Sequence, residues 1–379
     1  MKPDPYDLGL DGLEAVLDDQ PAYRARQMWA WLQRGVHDPQ AMTDLPKPLR
    51  QRLAATFAPS PEVTRQSTAD GGLTRKVLLQ YADGEAVESV LMLYPKNGRR
   101  DHARATVCVS SQAGCALACP FCATGQAGLR RQLTFGEVAR QVTVMQRLLA
   151  GPVELPAGCP PQVTNVVFMG MGEPLSNLDV TLRAVRWLAT PTEAGGFGLS
   201  ARSLTVSTVG LVPGIARLAR LKLPITLAVS LHAPNDELRD HLVPVNRHFP
   251  LAQLLAAVQR YQATTGRRVT IEYILIAGVN DALEHAAELA RRVAALKAHV
   301  NLIPMNPTPG IAWTAPSVQR QRAFARVLDE QGVAATIRHN RGGDIDAACG
   351  QLYADYALAS GRMLRVDRDA GQRAEVVRR

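Results

Sequence analysis

From residue 105 to about residue 331 the chain repeats one hydrophobic pattern: a short apolar run, then a longer segment whose apolar residues recur three and four apart. Short continuous runs suit strands buried on both faces, and the second spacing is that of helices with one buried stripe. The pattern predicts strands at 105–111 and near 163–169, 204–208, 225–231, 269–276 and 299–305. It predicts helices at 134–150 and near 177–189, 213–222, 251–264, 281–297 and 316–331. Thr134, with Glu137 three residues on, is a capping-box signal at the start of the 134–150 helix. Regular alternation of strand and helix implies a parallel sheet or barrel. Six units are fewer than a complete eight-unit barrel, so the expected fold class is α/β, a partial (βα)6 TIM-like barrel.

Upstream the period changes. Residues 21–57 show helical spacing broken at Pro39 and at Pro46 and Pro48, and residues 72–94 carry β-type runs around the turn Asp83-Gly84, a hairpin signal. The expected organisation is a small helical accessory domain at 1–60, a β-hairpin extension at 61–104, the partial barrel at 105–352, and a C-terminal helix and basic tail at 353–379. The opening residues MKPDPYDLGLDGLEAVLDD are acidic and lack a basic flank followed by an apolar run, and no apolar stretch is long enough to cross a bilayer. A cytoplasmic location without a membrane partner is therefore expected, where clustered thiols stay reduced.

The formal charge of +9 is mostly arginine, clustered at Arg99-Arg100 with Arg104, at Arg130-Arg131, at Arg267-Arg268, and along the tail from Arg362 to Arg379. Such a surface favours polyanions, RNA especially, through phosphate contacts and counterion release. Solvated basic faces explain the same charge, and charge alone leaves both readings open.

A barrel places its chemistry just after each strand, at the C-terminal mouth. The unusual residues fall there: a cysteine loop after the first strand, GMGEP (170–174) after the second, Ser207 at the end of the third, SLH (230–232) at the end of the fourth, and Asn306 after the sixth. Four of the chain's six cysteines lie in CVSSQAGCALACPFCAT (108–124). Cys115, Cys119 and Cys122 form a C-x3-C-x2-C group, and Cys108 stands outside any usual ligand spacing. Thiolates suit zinc and iron–sulfur clusters. A structural zinc site usually takes four protein ligands, often as two separated pairs, and no second pair is present. Three thiolates leave one iron of a [4Fe–4S] cluster open to another molecule. GMGEP read alone is equally a strand-to-helix turn closed by Pro174, and Cys349, in Ala-Ala-Cys-Gly, read alone is a buried small residue.

The loop GCALACPFCATGQ resembles that of the radical S-adenosylmethionine (SAM) superfamily, and with it comes an expected radical SAM barrel. Taken with Cys108, GMGEP, SLHAPNDELRDHLVPVN (230–246), IEY (271–273), LIPMNP (302–307) and GGDIDAACGQL (342–352), the chain is similar to the RlmN family of adenine C2-methyltransferases acting on 23S rRNA and tRNA. The resemblance runs from about residue 85 to 352, and the family also carries a helical N-terminal module. It implies one [4Fe–4S] cluster on Cys115, Cys119 and Cys122, two SAM molecules per turnover, and an external electron donor. It implies that Cys349 accepts a methyl group from one SAM, and that a 5′-deoxyadenosyl radical from the second takes hydrogen from the S-methyl. The resulting carbon radical joins C2 of adenine. Glu88 would be the proton acceptor. Cys108 would attack Cys349, release the base and leave a transient disulfide. Implied SAM contacts are Gly172, Glu173, Ser207, Ser230, Leu231, His232 and Asn306, and a monomer is expected.

Two features depart from the family pattern: Val209 stands where a small polar residue is common, and IRHNRGG before Asp344 is less basic than usual. Cys159 matches no motif and reads as an incidental loop thiol. Three rivals stand: a C8-methylating relative of the resistance type, disfavoured by Gln126 where those relatives tend to be acidic; an RNA-binding iron–sulfur or zinc protein without catalysis; and a radical SAM activase acting on protein.

Overall fold

A computed structural model describes residues 2–96, 102–151, 155–308, 310–338 and 341–352. The expected C-terminal helix and basic tail (353–379), like Arg99 and Arg100, lie outside the described residues. The chain opens with three helices, α1 (Pro5–Val16), α2 (Tyr23–Gln33) and α3 (Lys47–Thr56), followed by β1 (Glu62–Ala69), β2 (Thr74–Gln80), β3 (Ala86–Tyr94) and β4 (Arg104–Cys108). A small hairpin of β5 (Gln112–Gly114) and β6 (Leu129–Gln132) encloses the cysteine loop and the one-turn helix α4 (Ala123–Gln126). There follow α5 (Phe135–Leu149), β7 (Asn165–Phe168), α6 (Leu178–Ala189), β8 (Leu204–Thr208), α7 (Val212–Ala219), β9 (Thr226–Ser230), α8 (Asp236–Leu242) and α9 (Leu251–Thr265). The last elements are β10 (Val269–Leu275), α10 (Leu283–Val293), β11 (Ala298–Pro304), α11 (Val318–Glu330) and β12 (Ala335–Ile337).

One ten-stranded sheet runs β1-β2-β3-β4-β7-β8-β9-β10-β11-β12, antiparallel through β4 and parallel from β4 onward. The six expected strand–helix units are all present, with ends shifted by a few residues. This is the α/β partial barrel. The capping box also forms: Thr134 Oγ1 accepts from the Glu137 amide at 3.3 Å, and Glu137 Oε2 accepts from the Thr134 amide at 2.9 Å.

Four departures from the sequence-based expectations each have a physical reason. The strand expected at 105–111 stops at Cys108, because the Ser110 amide is taken by the Gln141 side chain and the Ser110 hydroxyl by the Glu88 carbonyl. The expected hairpin is a three-stranded meander, since β1 (EVTRQSTA) is an exposed edge strand with no apolar alternation to announce it. A seventh parallel strand, β12, pairs with β11 but spans only three residues. Helix α1 was hidden by the backbone break at Gly9 (φ 72°), although Asp4 and Pro5 form an orthodox start, with Asp4 accepting from the Tyr6 amide.

The accessory helices dock on α5 through buried polar contacts. Tyr6 is fully buried, and its hydroxyl donates to the Leu32 carbonyl at 2.6 Å and lies 3.1 Å from Thr143 Oγ1. Arg140 of α5, also buried, pairs with Asp4 at 2.7 Å. Asp7 accepts from the Gly136 amide at the start of α5. Burying these groups is tolerable because they satisfy one another. Tyr6→Phe should lower the unfolding free energy by about 1–2 kcal/mol in urea denaturation, because it leaves buried partners without the hydroxyl; an unchanged midpoint would mean that the module is held by apolar packing alone.

Candidate active site

The C-terminal ends of the parallel strands surround a cleft with about 960 Å³ of space, counting its open mouth. Its wall includes Cys115, Cys119, Cys122, Gly172, Glu173, Ser207, Ser230, His232 and Cys349. Residues from one end of the sequence to the other thus meet at one mouth.

The cysteine loop is shaped by backbone constraints. Gly114 has φ 78°, and a Cβ there would sit 1.9 Å from the Gly128 carbonyl oxygen, so a larger residue would split β5 from β6. The Cys122 amide donates to the Cys119 carbonyl at 3.0 Å as the loop winds into α4. Burial pushes the Cys115 thiol up to about 12, with Cys122 and Glu173 adding to the rise. Cys119 is raised well above the ordinary thiol range by burial and by its two neighbouring thiols, and Cys122 is raised chiefly by burial. Three thiolates so close together need positive charge between them. Among the described residues no set of three or more His, Cys, Asp and Glu side chains closes as the ligands of a single metal ion. The three thiols instead share one wall of an open cleft, a soft donor set that fits an iron–sulfur cluster with one side free.

Beside the loop, Gly172 (φ 95°) brings the GMGEP backbone against Gln112, whose Cβ would lie 2.5 Å from an added methyl group. Gln112 Oε1 accepts from the Glu173 amide at 2.7 Å. The Glu173 carboxylate accepts from the Leu175 amide at 3.0 Å and from the Val209 amide at 2.9 Å. Burial raises it to about 7, against the lowering effect of its bonds to Val209, Thr208 and Leu175. Val209 answers the sequence departure: its backbone, not its side chain, serves the site. Its carbonyl is held in turn by Arg239, a fully buried guanidinium that also binds the Leu231 carbonyl at 3.0 Å, the Ser230 carbonyl at 3.3 Å and Asn246 Oδ1 at 2.7 Å. Arg239 thus ties together the ends of β8 and β9.

His232 sits in the left-handed region (φ 62°), stacked edge-on against Phe121 of the cysteine loop at 4.8 Å. Its Nδ1 accepts from the Ile274 amide at 3.1 Å. Burial and Arg239 lower it to about 3, so the ring is neutral and carries its proton on Nε2. Two expected cofactor contacts are not on the cleft wall. Leu231 is fully buried in the core, its amide donating to the Glu272 carbonyl, while Asn306 donates to the Cys349 carbonyl at 2.9 Å.

Cys349 lies on a C-terminal loop fastened to the cysteine loop. The Ala123 amide donates to the Gly350 carbonyl at 2.8 Å, Thr124 Oγ1 donates to the Leu352 carbonyl at 2.8 Å, and Gln351 Nε2 reaches the Pro307 carbonyl at 2.7 Å. Cys108, buried at the end of β4, is raised to about 12 by burial first and by its neighbour Cys349 next. The expected pair therefore meets electrostatically, but no bond joins it: all six cysteines are free thiols. Glu88 is fully buried on β3 and paired with Lys76 at 2.9 Å, and it does not line the cleft. Of the basic clusters, Arg131 is committed to Glu137 at 2.7 Å and to Asp83. Arg239 and two wall residues, Glu272 and Arg338, were not singled out from sequence. The first two lie inside quoted motifs, and Arg338 lies in IRHNRGG, which was noted only as a departure from the family pattern.

A family model for the Radical SAM superfamily matches residues 109–290, and one for the Ribosomal RNA large subunit methyltransferase N-terminal domain matches residues 7–58. The chain is 52% identical over 357 residues to the probable dual-specificity RNA methyltransferase RlmN of Frankia alni, covering 93% of this chain and 82% of that one. It is 49% identical to the protein of the same name from Salinispora tropica over 352 residues, 92% of each chain. The crystal structure of a radical SAM methyltransferase from Sphaerobacter thermophilus matches it with a TM-score of 0.85 at 48% identity, covering 93% of this chain and 99% of that one. With about half its residues identical over nine-tenths of its length, the chain belongs to the RlmN family of radical SAM RNA methyltransferases.

Proposed function

We propose that the chain methylates C2 of adenine in 23S rRNA, at the peptidyl-transferase centre, and in tRNA, at the adenine 3′ of the anticodon. The observation that supports this reading is that Cys349 lines the same cleft as the three-cysteine loop, with the buried thiol of Cys108 within electrostatic reach of it. C2 of adenine is electron-poor and does not attack a methyl donor, so its methylation needs a route other than simple displacement. A reduced [4Fe–4S] cluster on Cys115, Cys119 and Cys122, with SAM, supplies hydrogen-atom abstraction from an unactivated methyl group.

The chain's own residues supply the rest. Gly172 lets the GMGEP turn pack closely on Gln112 and so shapes the cleft wall that would receive SAM, and Glu173, Ser207 and Ser230 offer acceptors for its amino group and hydroxyls. Cys349 carries the methyl group as a thioether and holds the growing bond to the base, so RNA and protein are joined for part of the cycle. Its loop is fixed through backbone carbonyls, which leaves the side chain clear. Release requires that the adduct give up one electron, which the bound cluster would accept, and lose the C2 proton; the carbon–sulfur bond then breaks and the methylene takes up a proton to become the methyl group. Cys108 attacks the Cys349 sulfur, the bonding electrons return to the base, and the resulting disulfide is reduced by an external thiol before the next cycle. As proton acceptor, Glu88 must be turned from Lys76 toward the cleft when RNA binds.

Two measurements test this reading. Cys108→Ala should keep its full iron content yet accumulate a covalent RNA–protein species on a denaturing gel; release of free methylated RNA at the wild-type rate would remove Cys108 from the mechanism. Mass spectrometry of RNA treated with the wild-type enzyme should show 2-methyladenine in both rRNA and tRNA fragments, and 8-methyladenine without the 2-methyl isomer would overturn the assignment.

A further inference from the structure

Glu272, on β10, has no part in the reading above. Its side chain is almost fully buried, yet it lines the cleft. Oε1 accepts from Asn301 Nδ2 at 2.8 Å, the residue facing it across β11. Oε2 is buried and has no hydrogen-bond partner among the described residues. The nearest cation, Arg338 NH1, stands at 3.6 Å, longer than a hydrogen bond. A carboxylate oxygen sequestered from water without a donor is costly to maintain, and in a cleft it points to a ligand that brings the donor. Arg338 also lines the cleft, and its charge is favoured first by Cys349, then by Glu272, Tyr94 and Cys108. Arg338 therefore stands near Cys349, which shares the cleft wall, and within electrostatic reach of buried Cys108.

An acceptor beside a donor calls for a ligand edge with the complementary order, an N–H next to a ring nitrogen. The amino edge of adenine has it, with N6–H beside N1. Guanine presents O6 and N1–H, the reverse order, and would set two acceptors against each other at the carboxylate. We propose that Glu272 and Arg338 read the amino edge of the target adenine, Oε2 accepting from N6–H and the guanidinium donating to N1. C2 neighbours N1, so this seating turns C2 toward Cys349. The inference rests on the adenine-methylating reading above. The adenine of SAM has the same edge, and the position of Arg338 beside Cys349 and Cys108 favours the RNA base.

The test uses cluster-loaded enzyme and substrate RNA carrying adenosine, purine riboside (no amino group) or 1-deazaadenosine (no N1) at the target position. Wild type should lose about ten- to a hundredfold in kcat/KM on each analogue, the range for a hydrogen bond to a charged group. Glu272→Gln should lose activity on adenosine RNA and no longer distinguish purine riboside from adenosine. Arg338→Gln, at a partly exposed position that tolerates substitution better, should do the same for 1-deazaadenosine alone. SAM affinity by calorimetry should change less than twofold in both variants. Variants that keep the wild-type discrimination overturn the proposal. So does weaker SAM binding with discrimination intact, which would assign the pair to the adenine of SAM. Wild-type enzyme that leaves adenosine RNA unmethylated would refute the adenine-methylating reading itself, and the proposal with it.

Discussion

Everything at this site depends on holding the Cys349 loop against the cysteine loop. Thr124 and Leu352, which share one of the fastening bonds, are 228 residues apart in the chain. Closing so long a loop costs conformational entropy, which the intervening barrel meets by ordering the chain between them. The last step is left to a few directed bonds. Several accept at the loop's own main-chain carbonyls (Cys349, Gly350, Leu352), so the loop is set largely by its backbone path, and these bonds do not use the Cys349 thiol. The same loop is stitched to the antiparallel strands from the other side, where Asp70 accepts from the Gly342 amide and Lys76 donates to the Asp346 carbonyl. The meander β1–β3 is thus more than an appendage, because it forms the second anchor for the segment that carries Cys349.

A buried charge performs a similar service at the ends of β8 and β9. Arg239 is fully buried, and desolvation lowers its guanidinium to about 10 despite nearby Cys119, Asp236 and Asp240. It is tolerated there because it has four acceptors, three of them carbonyls at the ends of β8 and β9. Val209 lies between Arg239 at its carbonyl and Glu173 at its amide. A cation and an acid that do not touch are therefore linked through the backbone of one residue, and the GMGEP turn is fixed relative to SLH. Removing either charged group would leave its own partners unsatisfied, carbonyls in the case of Arg239 and amides in the case of Glu173.

These polar devices share one property: each joins residues from different strand–helix units. The units themselves are local. Periods of two and 3.6, the Thr134–Glu137 box and the turn at Asp83-Gly84 arise from neighbours in sequence, and the six parallel strands with their helices were readable for that reason. Elements without a periodic apolar signal were not readable: the exposed edge strand β1, the three-residue β12, and α1 with its break at Gly9.

The site divides along the same line. Cys115, Cys119 and Cys122 are close in sequence, and one loop carries them, so their common wall follows from spacing alone. Gly172, Glu173, Ser207, Ser230 and His232 reach the cleft because each follows a parallel strand, which chain order also implies. By contrast, the packing decided that Asn306 supports Cys349, that Leu231 lies in the core, and that Glu88 is paired with Lys76 away from the cleft. It also decided that Arg338 and Glu272 stand together with an oxygen left open. Sequence determined which residues occupy the mouth of the barrel, because strand direction sets that through local patterning. Only the tertiary structure decided which of them touch, because hydrogen bonds between distant loops depend on ångström-scale placement that no local period encodes.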